Sequence, residues 1–201
     1  MAINLANNNS LANITALPSS ISGGAMTLLA TQTASGSANL SFTSGIDSTY
    51  DKYVFKFYNI HPATDGVTFE FQGSTNGGST YGVTITSSVF QAYHQENDAG
   101  AGIQYATNND LAQSTSFQKI TGDLGNQNDE CGSGIVQLFN PSSTTFVKHF
   151  ITRENGQQNN EQSVNVFAAG YFNTTSAINA VQFKMSSGNI DSGVIKLYGV
   201  S

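Results

Sequence analysis

Apolar and polar residues alternate along most of the chain after residue 24, which is the pattern of β-strands with one buried face. The clearest case is 51–60 (DKYVFKFYNI). There Tyr53, Phe55 and Phe57 share one face of the predicted strand, and the residues between them share the other. A half-buried strand with an aromatic core face is therefore predicted at this position.

A second alternating stretch covers 67–72, followed by the turn-like run 74–81 (STNGGSTY) and a return segment at 83–86. The sequence predicts a hairpin from these three parts. Its first strand is expected to turn three residues to the core and three to solvent. The inward set is Val67, Phe69 and Phe71, and the outward set is Thr68, Glu70 and Gln72.

Similar short segments recur to the end of the chain, and turn residues separate them. Residues 89–115 are less regular and are predicted to form a long loop with one short strand at 103–106. In all, about ten strands are expected at spacings of about 10 to 15 residues, with no helical period between them. This favours an all-β fold, an antiparallel jelly-roll-like β-sandwich. The other segments are 26–33, 38–43, 117–121, 134–139, 145–153, 164–172, 180–185 and 193–198.

Residues 1–24 follow neither period, and the first charged residue of the chain is Asp47. Asn and Ser dominate here, yet several aliphatic residues are present. We weigh a flexible tail against an extended arm that orders on a partner, and the aliphatic content favours the arm. The division is thus an N-terminal arm at 1–24 and a β-sandwich body at 25–201. The residues expected to contact such a partner are Ile3, Leu5, Leu11, Ile14 and Leu17.

Composition removes several classes of function. Ser, Thr, Asn and Gln make up 78 of the 201 residues, charged residues are 10%, and the net charge is −6. A nucleic-acid partner is not expected, because a phosphate-binding surface needs clustered Lys and Arg. The single cysteine, Cys131, excludes an internal disulfide. No apolar run approaches the length of a membrane helix, and the N-terminus lacks the basic residues of a secretory signal.

Candidate chemistry is sparse. The run 74–81 resembles the Asp-box turn of sialidases, with Asn76 in the place of Asp, and a structural turn is expected. His61, His94 and His149 have no metal-ligand spacing. Adjacent Asp129 and Glu130 would point apart on an extended strand, unlike the paired carboxylates of a glycosidase. The remaining candidates are Asp47, Asp51 and Asp65, as turn caps or Ca²⁺ ligands, and Tyr93, Tyr105 and Tyr171, as half-buried residues or sugar-stacking rings.

The run 48–65 (STYDKYVFKFYNIHPATD), the turn 74–81 and the ending 193–199 (GVIKLYG) resemble virion structural proteins of tailed bacteriophages, in particular those of cyanobacteria and marine bacteria. The resemblance extends over most of 25–201. It implies a virion surface protein, either a capsid decoration (cement) protein or a tail-fibre protein, usually trimeric. It supplies no catalytic residues.

The leading hypothesis is a non-enzymatic decoration protein on the phage head. Its partners would be the major capsid protein or other virion subunits, and it would form a homotrimer and need no cofactor or metal. The alternative is a tail-fibre or receptor-binding domain whose loop tips near 93–110 and 154–161 touch host surface glycans. Polysaccharide cleavage and a cellular carbohydrate-binding module are weaker hypotheses.

Overall fold

The computed structural model describes residues 26–201, and the arm residues predicted to bind the capsid lie outside this range. Between residues 26 and 201 the chain forms twelve strands and no helix. They are β1 Thr27–Ser37, β2 Leu40–Phe42, β3 Lys52–Pro62, β4 Phe69–Ser74, β5 Ile85–Gln95, β6 Ala101–Tyr105, β7 Gln118–Lys119, β8 Gly132–Phe139, β9 Lys148–Gln158, β10 Gln162–Phe172, β11 Ala180–Met185 and β12 Ile190–Val200.

The strands form two antiparallel sheets. The larger has eight strands in the order β1-β12-β3-β8-β9-β10-β5-β6, and the smaller has four in the order β2-β11-β4-β7. The β-sandwich prediction is therefore confirmed. The jelly-roll connection is not confirmed by this unequal pair of sheets and stays a prediction.

The main core lies between the two sheets and is built from phenylalanines at alternate strand positions. Phe183 of β11 is its centre, with ring centroids 5.2 Å from Phe55, 5.6 Å from Phe69 and 6.1 Å from Phe71. Tyr53, Phe55 and Phe57 are at most 1% exposed, which confirms the predicted inner face of β3. Aromatic burial of this kind is the largest stabilising contribution a sheet core offers.

A second, smaller core lies under the β5–β10 half of the large sheet. Val89, Val164, Val166 and Ala168 are buried there, with Tyr93 and Ala106 packed against them. The segment 106–131 covers this half, and Leu124 in that segment bridges to both Val67 and Gln158. The four-stranded sheet thus covers only part of the eight-stranded one, and a mostly irregular segment covers the rest.

The predicted hairpin from 67–72 to 83–86 is wrong. β4 lies in the small sheet, between β11 and β7, whereas β5 lies in the large sheet, between β10 and β6. The chain crosses from one sheet to the other through the 74–81 turn. A tight turn signals a change of direction, but it does not determine which strand the returning segment will pair with.

The predicted exposure of the β4 outer face is also wrong. Thr68, Glu70 and Gln72 are 4%, 7% and 0% exposed. The Gln72 side-chain amide donates to the carbonyls of Val83, Thr115 and Ser116 at 3.0–3.2 Å, because the segments around 83 and 115 pack over this sheet. Alternation predicted the faces of the strand but not this second covering layer.

The long loop predicted at 89–115 is partly replaced by strands, since β5 and β6 occupy 89–95 and 101–105; the short strand expected at 103–106 corresponds to the end of β6. β5 continues to Gln95 and pairs with β6 from Phe90↔Tyr105 to His94↔Ala101. The Gly-rich run 98–102 forms the turn region and the start of β6 rather than an extended loop. This hairpin makes β6 one edge of the large sheet, and β1 makes the other.

Candidate functional site

The outer face of the eight-stranded sheet is the outward surface of the larger of the two sheets. One row of directly opposed residues crosses all eight strands of this face. From β1 to β6 it reads Thr31, Lys196, Lys56, Ile135, Arg153, Phe167, Phe90 and Tyr105. One half of the row is therefore cationic and the other half is aromatic.

The cations of this row contact aromatic rings. Lys56 Nζ lies 5.3 Å from the centre of the Tyr198 ring, and Lys196 Nζ lies 5.9 Å from that of Tyr58. Each lysine is thus held over the tyrosine of the neighbouring strand by a cation–π contact. None of the three ion pairs found in residues 26–201 includes Lys56, Lys196 or Arg153.

At the aromatic half, the Phe90 and Phe167 rings stack in parallel, with centroids 4.8 Å apart and planes within 6°. The Arg153 guanidinium lies 5.2 Å from the centre of the Phe167 ring. Phe90 is nevertheless 47% exposed and Tyr105 54%. The ring edges therefore face solvent, while the ring faces are partly covered by one another and by Arg153.

A shallow depression of about 560 Å³ lies on the same sheet face, where β5 and β9 begin and β8 and β10 end. His149, Ile151 and Tyr171 line it, and the His149 and Tyr171 rings are 5.9 Å apart. His149 and Ile151 share the exposed face of β9. Phe146, 71% exposed, lines a neighbouring depression that also contacts His149.

Both edges of the large sheet are open within residues 26–201. β1 has eleven residues (TLLATQTASGS) and β6 has five (AGIQY), with no charged residue and no proline in either. Exposed edge strands normally carry lysine, proline or a strong distortion, because their free N–H and C=O groups pair with other chains. β1 has one irregularity, between Leu28 and Ala30. These edges are chemically ready to accept another strand.

Two of the loop tips predicted to touch glycans come together. The Glu96 backbone N–H donates to the Glu161 carbonyl at 3.0 Å, and the Gln157 amide donates to the Glu96 carboxylate at 2.8 Å. Tyr93 packs on the second core instead of facing solvent. The Tyr105 hydroxyl donates to Asp110 at 2.7 Å, and this hydrogen bond raises the pKa of the phenol.

The carboxylates weighed for catalysis do not share a cleft. Glu130 is 2% exposed and accepts the Gln127 N–H at 2.7 Å, whereas Asp129 is exposed. Glu154, which sequence reasoning missed, is 1% exposed, and neither of its oxygens has a hydrogen-bond partner among residues 26–201. Burial raises the pKa of Glu154 well above its ordinary value. Its carboxyl group lies inside the fold, where a substrate has no access.

Two of the predicted turn-capping residues, Asn76 and Asp47, behave as caps, whereas Asp51 and Asp65 make no side-chain hydrogen bond among residues 26–201. Asn76 Oδ1 accepts the Thr80 N–H at 3.0 Å, which confirms the structural reading of the 74–81 turn. Asp47 Oδ1 accepts the Thr49 N–H at 2.8 Å, and this contact lowers the pKa of Asp47.

In the part of the chain that the structure describes, no three His, Cys, Asp or Glu residues are grouped to hold a metal ion. Nor does that part contain a helix that is long and apolar enough to cross a bilayer.

Comparison with known proteins gives no match to a family model, to a curated protein or to a solved structure. The sheet face, the sheet edges and the sequence resemblance to virion structural proteins are therefore the features on which a function can be proposed.

Proposed function

We propose that the chain is a non-enzymatic capsid decoration protein of a tailed phage, located on the virion surface and assembled as a homotrimer. The observation that carries the proposal is the uncharged, open eleven-residue edge of β1. Residues 1–24, which contain the five apolar residues predicted to bind the capsid, directly precede this strand in the chain. Strand addition at this edge is a route by which a neighbouring subunit could be held.

The surface composition supports a role in a particle that meets changing ionic conditions. Charged residues are 10% of the chain, so salt has few charges to screen. Symmetric assembly would also cover edges that are otherwise prone to aggregation.

The test is cosedimentation of the full chain with empty capsid shells of the same virus. We expect stoichiometric binding by the wild type. Replacing Ile3, Leu5, Leu11, Ile14 and Leu17 with serine should abolish binding. Introducing Thr33→Lys and Ser35→Lys together on the β1 edge should weaken it, because charged side chains oppose strand addition.

A matched control places the same two charges elsewhere. Ser176→Lys lies in the exposed turn between β10 and β11, and Thr107→Lys lies in the exposed turn after β6, at the other edge of the sheet; this double variant should bind like the wild type. Absence of shell binding by the unmodified chain would contradict the decoration proposal.

The second candidate is a tail-fibre or receptor-binding domain for host glycans. It is favoured by the meeting of the loops at Glu96 and Glu161 and by the depression at His149 and Tyr171. Adsorption of the labelled protein to host cells, with competition by isolated surface polysaccharide, tests it. No adsorption together with firm shell binding would exclude this alternative.

A further inference from the structure

We infer that the outer face of the eight-stranded sheet docks an acidic protein surface through a cationic row formed by Lys196, Lys56 and Arg153. This inference rests on the proposed function for the identity of the partner, a virion subunit. It adds the chemistry of that partner and the face that meets it. Sequence patterns alone predict no such site, since the row exists only through the strand register.

Positive charge is concentrated on one part of this sheet face. Of the seven Lys and Arg residues, the three in this row lie on four neighbouring strands, about 14 Å from end to end. The outward positions of β3, β8, β9 and β10, and of β12 from Val194 onward, carry no Asp or Glu. A chain with a net charge of −6 thus carries no acidic residue at the outward positions of these strands. Acidic residues do contact the β5–β6 end of the sheet, where Asp98 lies against His94 and Asp110 against Tyr105.

Two lysines of the cationic row repel each other across neighbouring strands. Lys56 and Lys196 are directly opposed on β3 and β12, and like charges in this position destabilise a sheet. No carboxylate within residues 26–201 pairs with either lysine. An acidic partner surface would supply the missing counter-charge, and the two ammonium groups would then contribute to binding.

The size and shape of the sheet face favour a protein partner over a sugar. The sheet face measures about 38 Å across its eight strands and about 35 Å along them, more than a standard interface of about 800 Å² per partner requires. The Phe90 and Phe167 rings cover each other, and lysines lie over Tyr58 and Tyr198. The rings of Phe167, Tyr58 and Tyr198 are therefore partly covered and less available for stacking on a pyranose, whereas exposed aromatic edges and arginine are common at protein interfaces.

The experiment measures binding of the full chain to poly-L-glutamate, with heparin and duplex DNA as comparison probes. We expect the wild type to bind poly-L-glutamate in preference to the other two, and binding to weaken as salt is added. The variant Lys196→Glu should lose about tenfold or more in affinity. Lys196→Arg should retain it.

Lys119→Glu is the matched control, because it changes the net charge equally but lies on β7 of the small sheet. It should bind like the wild type. Equal losses in Lys196→Glu and Lys119→Glu, no binding by the wild type, or a preference for heparin or DNA would overturn the inference. Thermal unfolding checks the fold of each variant. Lys196→Glu loses the cation–π contact with Tyr58 but also the repulsion from Lys56, so its melting temperature should stay close to that of the wild type.

The shell assay separates this inference from the proposed function. If shells bind the wild type and Lys196→Glu equally, the docking face is wrong and the decoration proposal stands. If no form binds shells while the poly-L-glutamate results hold, the decoration proposal is wrong and the acidic-partner inference stands.

Discussion

Glu154 is a buried residue whose carboxyl group lowers the stability of the fold. It occupies the inner face of β9, beneath Leu124, where glycines at 132 and 156 leave space for its side chain. A buried carboxyl group without hydrogen-bond partners costs free energy, and the cost rises when the group is ionised. The fold therefore keeps Glu154 protonated to a higher pH than an exposed glutamate.

This gives a pH dependence of known sign. Below the ordinary glutamate pKa of 4.5, both folded and unfolded chains hold the proton and the ionisation penalty is absent. As pH rises from there through the raised folded-state pKa, the unfolded chain releases a proton that the native chain keeps, so Glu154 lowers the free energy of unfolding. Glu154→Met should be about 1–3 kcal/mol more stable than wild type at pH 7.

Urea unfolding across pH 4 to 8 measures this effect. The difference between Glu154→Met and wild type should grow with pH, whereas Glu161→Met, at an exposed turn, should show no such growth. A constant difference across the range would mean that Glu154 does not titrate as described.

At the scale of elements, the sequence predicted strands and turns better than their partners. β11 lies at 180–185 as predicted, and β3 has the predicted inner face, because alternation is a local property. The β4–β5 hairpin failed because sheet membership is decided by distant strands. The burial of Glu70, Gln72 and Glu154 was missed because the covering segments come from elsewhere in the chain. The cationic row could not be predicted, since Lys56, Arg153 and Lys196 meet only through strand register.

Asn76 makes three of the side-chain hydrogen bonds that hold the 74–81 turn, which carries the chain between the sheets, and Ser74 and Asn179 accept further backbone N–H groups there. Asn76 accepts the Thr80 N–H and the Ser74 hydroxyl through Oδ1 and donates to the Thr80 hydroxyl through Nδ2. Asn76→Ala should lower the free energy of unfolding by about 1 kcal/mol. Asn76→Asp, which keeps the acceptor oxygen, should lose less. Chemical denaturation checks both variants, and equal losses would show that the acceptor is not what stabilises the turn.

Few ion pairs stabilise the folded molecule, so its free energy of unfolding should respond weakly to salt. Binding at the proposed docking face should respond strongly. Residues 26–201 contain three ion pairs, two of which involve histidine. Screening therefore has little to remove from the folded state. Between about 0.05 M and about 0.5 M sodium chloride we expect the midpoint of thermal unfolding to move by about 2 °C or less. Scanning calorimetry measures it, and a fall of many degrees would show that ion pairs carry the stability.

The position of β12 affects the order in which the molecule is completed. This strand, the last in chain order, lies between β1 and β3 and hydrogen-bonds to both. During synthesis, β1 emerges first but has no neighbour in the large sheet until residues 190–200 leave the ribosome. Contacts over so long a sequence separation also close slowly. A prematurely terminated chain would therefore lack the strand that joins β1 to the sheet, and β1 and β3 would each be left with an unpaired edge.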